Sequence, residues 1–253
     1  MTYNLKIINS GDRIEIYKIS NYFIRTGTKD NEGRTRDTCS KQTHKDKVRN
    51  LRESRNKIVR LIKSNPDMTT FITLTFKEVP SVSDSKQLLT KFFRKLKKDY
   101  EGLKYLYVLE LGELNGRLHY HVLCNMDVDI KLSPKKKSMQ HKQYEQEFSN
   151  RYWQHGFVDI RSLEQEDNSN IALYVSTYIV KSLENTELEA VNIFNYSRNL
   201  NKPEITKIWS KQSLAEVLSE FKDYKVTYTN SYKIGENGQV NYVDMIKEDN
   251  NEI

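Results

Sequence analysis

Apolar and polar residues alternate along this chain with a period that switches between that of a strand and that of a helix. Phe71-Ile72-Thr73-Leu74-Thr75-Phe76 alternates strictly and predicts a strand. From Asp84 to Tyr100, Leu88, Leu89, Phe92, Phe93 and Leu96 fall on one side and lysines on the other, the pattern of an amphipathic helix. Tyr105–Glu110 and Gly116–Leu123 read as the two strands of a hairpin, with a turn at Asn115-Gly116. A lysine-rich loop, Lys131 to Lys142, contains Pro134. Gln143–Gln154 then reads as a helix, Gly156–Ile160 as a strand and Asn170–Leu183 as a helix.

The order from Phe71 to Ile160 is therefore β-α-β-β-α-β, an α+β fold of the ferredoxin-like kind with an antiparallel sheet. Flanking segments extend it. Tyr3–Ser20 reads as a hairpin turning at Asn9-Ser10-Gly11-Asp12, and Thr26–Asp46 as a polar linker. Val48–Lys63 reads as a basic amphipathic helix ended by Asn65-Pro66-Asp67, and Lys225–Met245 as a hairpin turning at Gly235-Glu236-Asn237-Gly238. The expected organisation is an N-terminal hairpin, linker and helix (1–66), a central domain (67–203) and a C-terminal extension (204–253).

Charge changes the picture slightly. The 253 residues carry 41 Lys and Arg against 34 Asp and Glu, a formal net charge of +7. Such a balance suits a binder of polyanions, since cations that neutralise phosphates release counterions. Cys39 and Cys124 lack metal-finger or disulfide-framework spacing, and no stretch reads as a signal peptide or membrane span, so a reducing cytoplasm is expected. His44, His141 and His155 lie in polar contexts and read as surface histidines, while Trp153 reads as a core anchor.

The chemistry concentrates at His119-Tyr120-His121. In a strand these histidines share a face, opposite Leu118, Tyr120 and Val122. The hairpin brings Glu110 alongside them, so two imidazoles and a carboxylate form three candidate ligands for a divalent cation, Mg²⁺ or Mn²⁺. Cys124, an odd number of residues from His121, falls on the other face. A second constellation is Tyr174, Tyr178 and Lys181. At ~100° per residue all three share one helical stripe. Tyrosines at i and i+4 also describe a core-facing aromatic stripe, but the neighbouring histidine strand favours chemistry. A phenol can attack a phosphate that a cation polarises, with a lysine favouring phenolate.

These residues resemble the rolling-circle replication initiators of the HUH endonuclease superfamily, closest to those of small phages and plasmids of Gram-positive bacteria. His119-Tyr120-His121 is similar to the histidine–hydrophobe–histidine motif, and Phe71–Phe76 to the first motif. Val108-Leu109-Glu110, Trp153–Val158 and Ser197–Pro203 follow the family's V-x-E, W-x-x-G-x-V and SR-x-L-x-x-P patterns in order. Tyr174–Lys181 resembles YxxKYxxK, with Thr177 where the first lysine stands. The resemblance implies a metal-dependent nickase and strand-transferase that works through a 5′-phosphotyrosine. Tyr178 would be the obligatory nucleophile, Tyr174 a second one and Lys181 their cation. It also implies origin DNA, single-stranded at the nick, as substrate in a bacterial cytoplasm. No phosphate-binding G-x-x-x-x-G-K-[ST] loop is present, so host helicase and polymerase are the expected partners. A transposase or mobilisation enzyme of the same superfamily, a non-catalytic origin-binding protein and an RNA-recognition module are the competing readings. The last of these requires exposed aromatics on the histidine-bearing sheet face.

Overall fold

The computed structural model describes residues 2–25, 44–112, 116–128, 137–163, 171–172, 174–175, 177–178 and 193–248. Among these residues it is α+β, with two five-stranded antiparallel sheets. The chain divides into two compact units, residues 44–201 and residues 1–43 with 202–253.

In the unit spanning 44–201, the helix α1 (His44–Lys63) leads into β5 (Thr70–Phe76), α2 (Val82–Asp99), β6 (Tyr105–Leu111), β7 (Leu118–Cys124), α3 (Met139–Tyr152) and β8 (Gly156–Ser162). A short strand β9 (Phe194–Tyr196) closes the series, and the spatial order is β8-β5-β7-β6-β9. Every pairing is antiparallel. The four strands of the β-α-β-β-α-β series therefore lie fourth-first-third-second.

One face of this sheet carries α2 and α3. There Tyr120 hydrogen-bonds the Ser85 hydroxyl on α2 at 2.9 Å, and Phe76 and Phe92 meet the indole of Trp153 edge-on. Trp153 is fully buried, as its sequence context suggested, and its Nε1–H donates to the Thr75 carbonyl at 3.3 Å. Trp153→Ala is expected to lower the unfolding free energy by about 3–5 kcal/mol, read as a shift of the urea midpoint by circular dichroism. Gly156 lets β8 enter the sheet: a Cβ there would lie 2.1 Å from the Thr75 carbonyl oxygen. The other face is covered by helical residues Ile171, Ala172, Tyr174, Val175, Thr177 and Tyr178. Ile171, Ala172 and Val175 are buried in the same core.

In the second unit, β2 (Leu5–Asn9) and β3 (Arg13–Ser20) form the N-terminal hairpin. β10 (Glu204–Ile208) pairs with β2, and β12 (Gly238–Lys247) pairs with both β3 and β11 (Tyr224–Ile234). The pair β1 (Thr2–Tyr3) and β4 (Ile24–Arg25) stands apart from that sheet. The helix α4 (Leu214–Ser219) starts on a Ser213–Glu216 capping box and buries Val217 against Leu5, Ile14, Ile16, Val243 and Met245.

The structure divides the chain otherwise than the 1–66, 67–203 and 204–253 partition. The α1 residues Ile58, Leu61 and Ile62 are buried in the core of the 44–201 unit, and the C-terminal hairpin completes the N-terminal sheet. Three local readings also change. Ser138 caps α3 by accepting from the His141 amide, so residues 139–142 are helical and not loop. His141 is fully buried, not at the surface, because its Nε2 reaches the Ile160 carbonyl at 2.9 Å. Strands β9 and β10 and helix α4 had no strong periodic signal. The linker segment 26–43 and the loop segment 131–136 lie outside the described residues. No helix among the described residues is long and apolar enough to cross a membrane.

Candidate active site

The site is a sheet face read across its strands. Directly opposed residues of antiparallel strands share a face. One row runs Phe157–Thr75–His119–Glu110, the next Asp159–Thr73–His121–Val108, and a third Arg161–Phe71–Leu123–Leu106. His119, His121 and Glu110 thus share one face, as the alternation of the strands predicts, while Cys124 is buried on the opposite side. Its Sγ lies 3.6 Å from the Thr70 carbonyl, and burial raises its thiol to about 12.

Each imidazole is held by a threonine from β5. Thr75 Oγ1 lies 3.0 Å from His119 Nδ1, and Thr73 Oγ1 lies 3.2 Å from His121 Nδ1. In the tautomer with the proton on Nδ1, that N–H donates to the threonine and leaves Nε2 as a lone-pair donor. His121 Nε2 and Glu110 Oε2 approach to 2.5 Å. Burial, and next the neighbouring His121, push the His119 imidazole below its ordinary pKa, which favours the neutral, ligating form. His119 Nε2 packs over Gly112, where a Cβ would come within 2.9 Å of it.

Among the described residues no group of three His, Cys, Asp or Glu side chains is arranged as a ready metal cluster. Glu110 is turned onto His121, and the two rings of the histidine pair stand 6.4 Å apart. The donor chemistry nevertheless fits a divalent cation. Two imidazoles are oriented through Nδ1 by hydroxyls, and a carboxylate already converges with one Nε2.

The tyrosine helix lies directly over these residues. The Tyr178 ring stacks on His121 with centroids 3.8 Å apart, and both rest on Phe71, at 5.9 Å from Tyr178 and 5.8 Å from His121. Tyr178 Oη donates to Tyr174 Oη at 2.7 Å. Burial, the Tyr174 hydroxyl and the Glu110 carboxylate raise the Tyr178 phenol above its ordinary pKa, with Arg161 opposing them. The structure therefore brings Tyr174, Tyr178, His121 and Glu110 together, with His119 two residues along the same strand. Lys181 lies outside the described residues.

Residues 69–183 match a family model, that of the replication-associated protein ORF2. The match begins just before β5, ends just after the tyrosine helix and spans every residue of this site. It supports a replication-associated family and a role in replication initiation. No curated protein and no solved structure matches the chain.

Several site residues escaped the sequence reading. Thr73 and Thr75 orient the histidines, Phe71 is the shared platform for the rings, Gly112 makes room for His119, and Arg161 is a cation near both phenols. The threonines left a signal: two polar residues alternate on one face of an otherwise apolar strand. Gly112 and Arg161 left none.

Proposed function

We propose that this chain is a rolling-circle replication initiator of the HUH endonuclease type, which nicks and rejoins one strand of origin DNA through a 5′-phosphotyrosine. The observation that carries the reading is the stacking of Tyr178 on His121, 3.8 Å between centroids, beside Glu110. DNA binding alone requires no phenol against an imidazole–carboxylate pair. The fourth-first-third-second strand order supports the ferredoxin-like form of the fold, and the family match supports the setting in replication.

Glu110, His119 and His121 would hold one divalent cation, Mg²⁺ or Mn²⁺. Such a cation withdraws charge from a scissile phosphate and eases departure of the leaving oxygen. The protein's own groups do the rest. Thr73 and Thr75 fix the imidazole orientations. Tyr178 Oη forms a bond to phosphorus as the bond to the 3′ oxygen breaks; the phenolic proton leaves, and the 3′ oxygen emerges as a hydroxyl for a host polymerase. The phosphotyrosine conserves the energy of the broken bond, so rejoining needs no ATP. Lys181 favours phenolate, and Tyr174, already in contact with Tyr178, supplies a second attack. A host helicase unwinds the duplex in the bacterial cytoplasm.

The test uses a supercoiled plasmid carrying the DNA that flanks this protein's own coding sequence. Full-length protein with Mg²⁺ or Mn²⁺ is expected to give open circles with protein on the 5′ end, and EDTA to prevent it. Open circles in EDTA would exclude the cation, and intact supercoils in every lane would exclude nicking.

A further inference from the structure

The row that contains His119 ends at an aromatic ring that the proposed chemistry does not use. Phe157 lies on β8, the outer strand of the sheet, and its ring is 66 % exposed. Its neighbours on the strand behave differently: Ile160 is fully buried and Val158 packs on the core. The alternation of β8 thus directs Phe157, Asp159 and Arg161 to the histidine face. Burial does not explain the ring, because a phenylalanine serving the core would face the other side.

The rest of the strip suits a phosphate backbone. Arg161 lies four residues on, about 13 Å along an extended strand, with its side chain 45 % exposed. Asp159 holds it by a 2.8 Å hydrogen bond, and it is electrostatically coupled to Tyr174 and Tyr178. Lys137 meets Asp159 at 2.5 Å and Glu145 at 2.6 Å, which fastens a further cation to the same strand. An aromatic platform at one end, cations beyond it and the phenols beside the last cation form the combination that single-stranded nucleic acid uses: stacking for bases and charge for phosphates.

We infer that the outward strip of β8 is the track for the single strand being cut, with Phe157 stacking one unpaired base and Arg161 holding a phosphate at the tyrosine end. This rests on the nicking reading for its occupant. The platform lies in line with His119 and Thr75, so a base on Phe157 sets the register of the strand across the histidines. Stacking is tolerant of sequence, so the strip provides grip and register, and does not read bases.

The experiment measures binding of the full-length protein to a labelled mixed-sequence DNA single strand of about 20 nucleotides, longer than a typical single-strand site, in EDTA, where nicking does not intrude. Phe157→Ala is expected to weaken binding about tenfold, and Phe157→Trp to restore it. Affinity for a duplex of the same sequence should change less than about twofold, because paired bases cannot stack on the ring. With 5-iododeoxyuridine placed along the strand, irradiation should link the DNA to the peptide that contains Phe157. Unchanged single-strand affinity in Phe157→Ala, cross-links confined to other peptides, or tighter Phe157-dependent binding of an RNA strand of the same sequence would each overturn the inference. The two readings separate. Plasmid nicking with Phe157-independent binding removes only the track. Phe157-dependent single-strand binding without nicking removes only the nickase.

Discussion

Replacing Tyr178 by phenylalanine is expected to abolish the covalent protein–DNA adduct and to lower nicking by about a thousandfold or more, as loss of a nucleophile does. Phenylalanine keeps the ring that stacks on His121 and Phe71 and loses only Oη and its bond to Tyr174. Tyr174→Phe should still nick a single-stranded origin oligonucleotide but fail at the second strand transfer. Peptide mapping of the 5′-phosphotyrosyl adduct distinguishes the two phenols. Adduct carried only by Tyr174 would reverse their roles, and cleavage without any adduct would replace the phenol by water. The phenol of Tyr178 is raised by burial and by Tyr174 and Glu110, so its phenolate is scarce near neutrality. Adduct formation is therefore expected to rise between about pH 7 and 9 by as much as about tenfold per unit. A flat profile would show that ionisation of this phenol does not limit the reaction.

The second large effect is expected at the histidines. The double substitution His119→Ala, His121→Ala should leave DNA binding intact and reduce nicking by more than the about 10- to 100-fold that loss of a ligand's supporting hydrogen bond costs. Titration calorimetry should show Mn²⁺ bound more tightly than Mg²⁺ by the unsubstituted protein, in keeping with nitrogen-containing ligand sets, and neither bound by the double variant. Removing both rings also removes the stack under Tyr178, so the variant's circular dichroism and melting curve must match the parent before the loss is read as chemistry. Normal nicking by a folded double variant would sink the role assigned to these residues.

Strand alternation made most of the site legible in the sequence. Once Tyr105–Leu111 and Leu118–Cys124 are paired, His119, His121 and Glu110 must share a face, and the register opposes Glu110 to His119. What alternation does not give is where a side chain turns next. Glu110 reaches past its direct partner to His121, a choice of rotamer that no spacing encodes. The tyrosine pair was legible as a helical stripe, but its placement over Phe71 depends on contacts between segments distant in sequence. His141 was misread because its neighbours are polar: a buried imidazole satisfied by a strand carbonyl leaves no local apolar pattern. The short strands β9 and β10 were missed for a related reason. Phe194–Tyr196 spans too few positions for a period to register, and β10 is exposed along its whole length, so no buried face marks it.

The sheet shared by the two ends of the chain has a consequence for how the molecule is made. Ile19 is paired with Val240 and Ile8 with Ile205, whereas the sheet of the 44–201 unit draws only on strands between Thr70 and Tyr196. As the polypeptide leaves the ribosome, the inner unit has all its strands while the outer sheet still lacks β10, β11 and β12. The N-terminal hairpin must wait with the outer edges of both its strands unpaired. Its partners arrive last, across long loops whose closure costs entropy and slows pairing. The segment that bears the candidate chemistry is thus assembled before the first strands of the chain find their places.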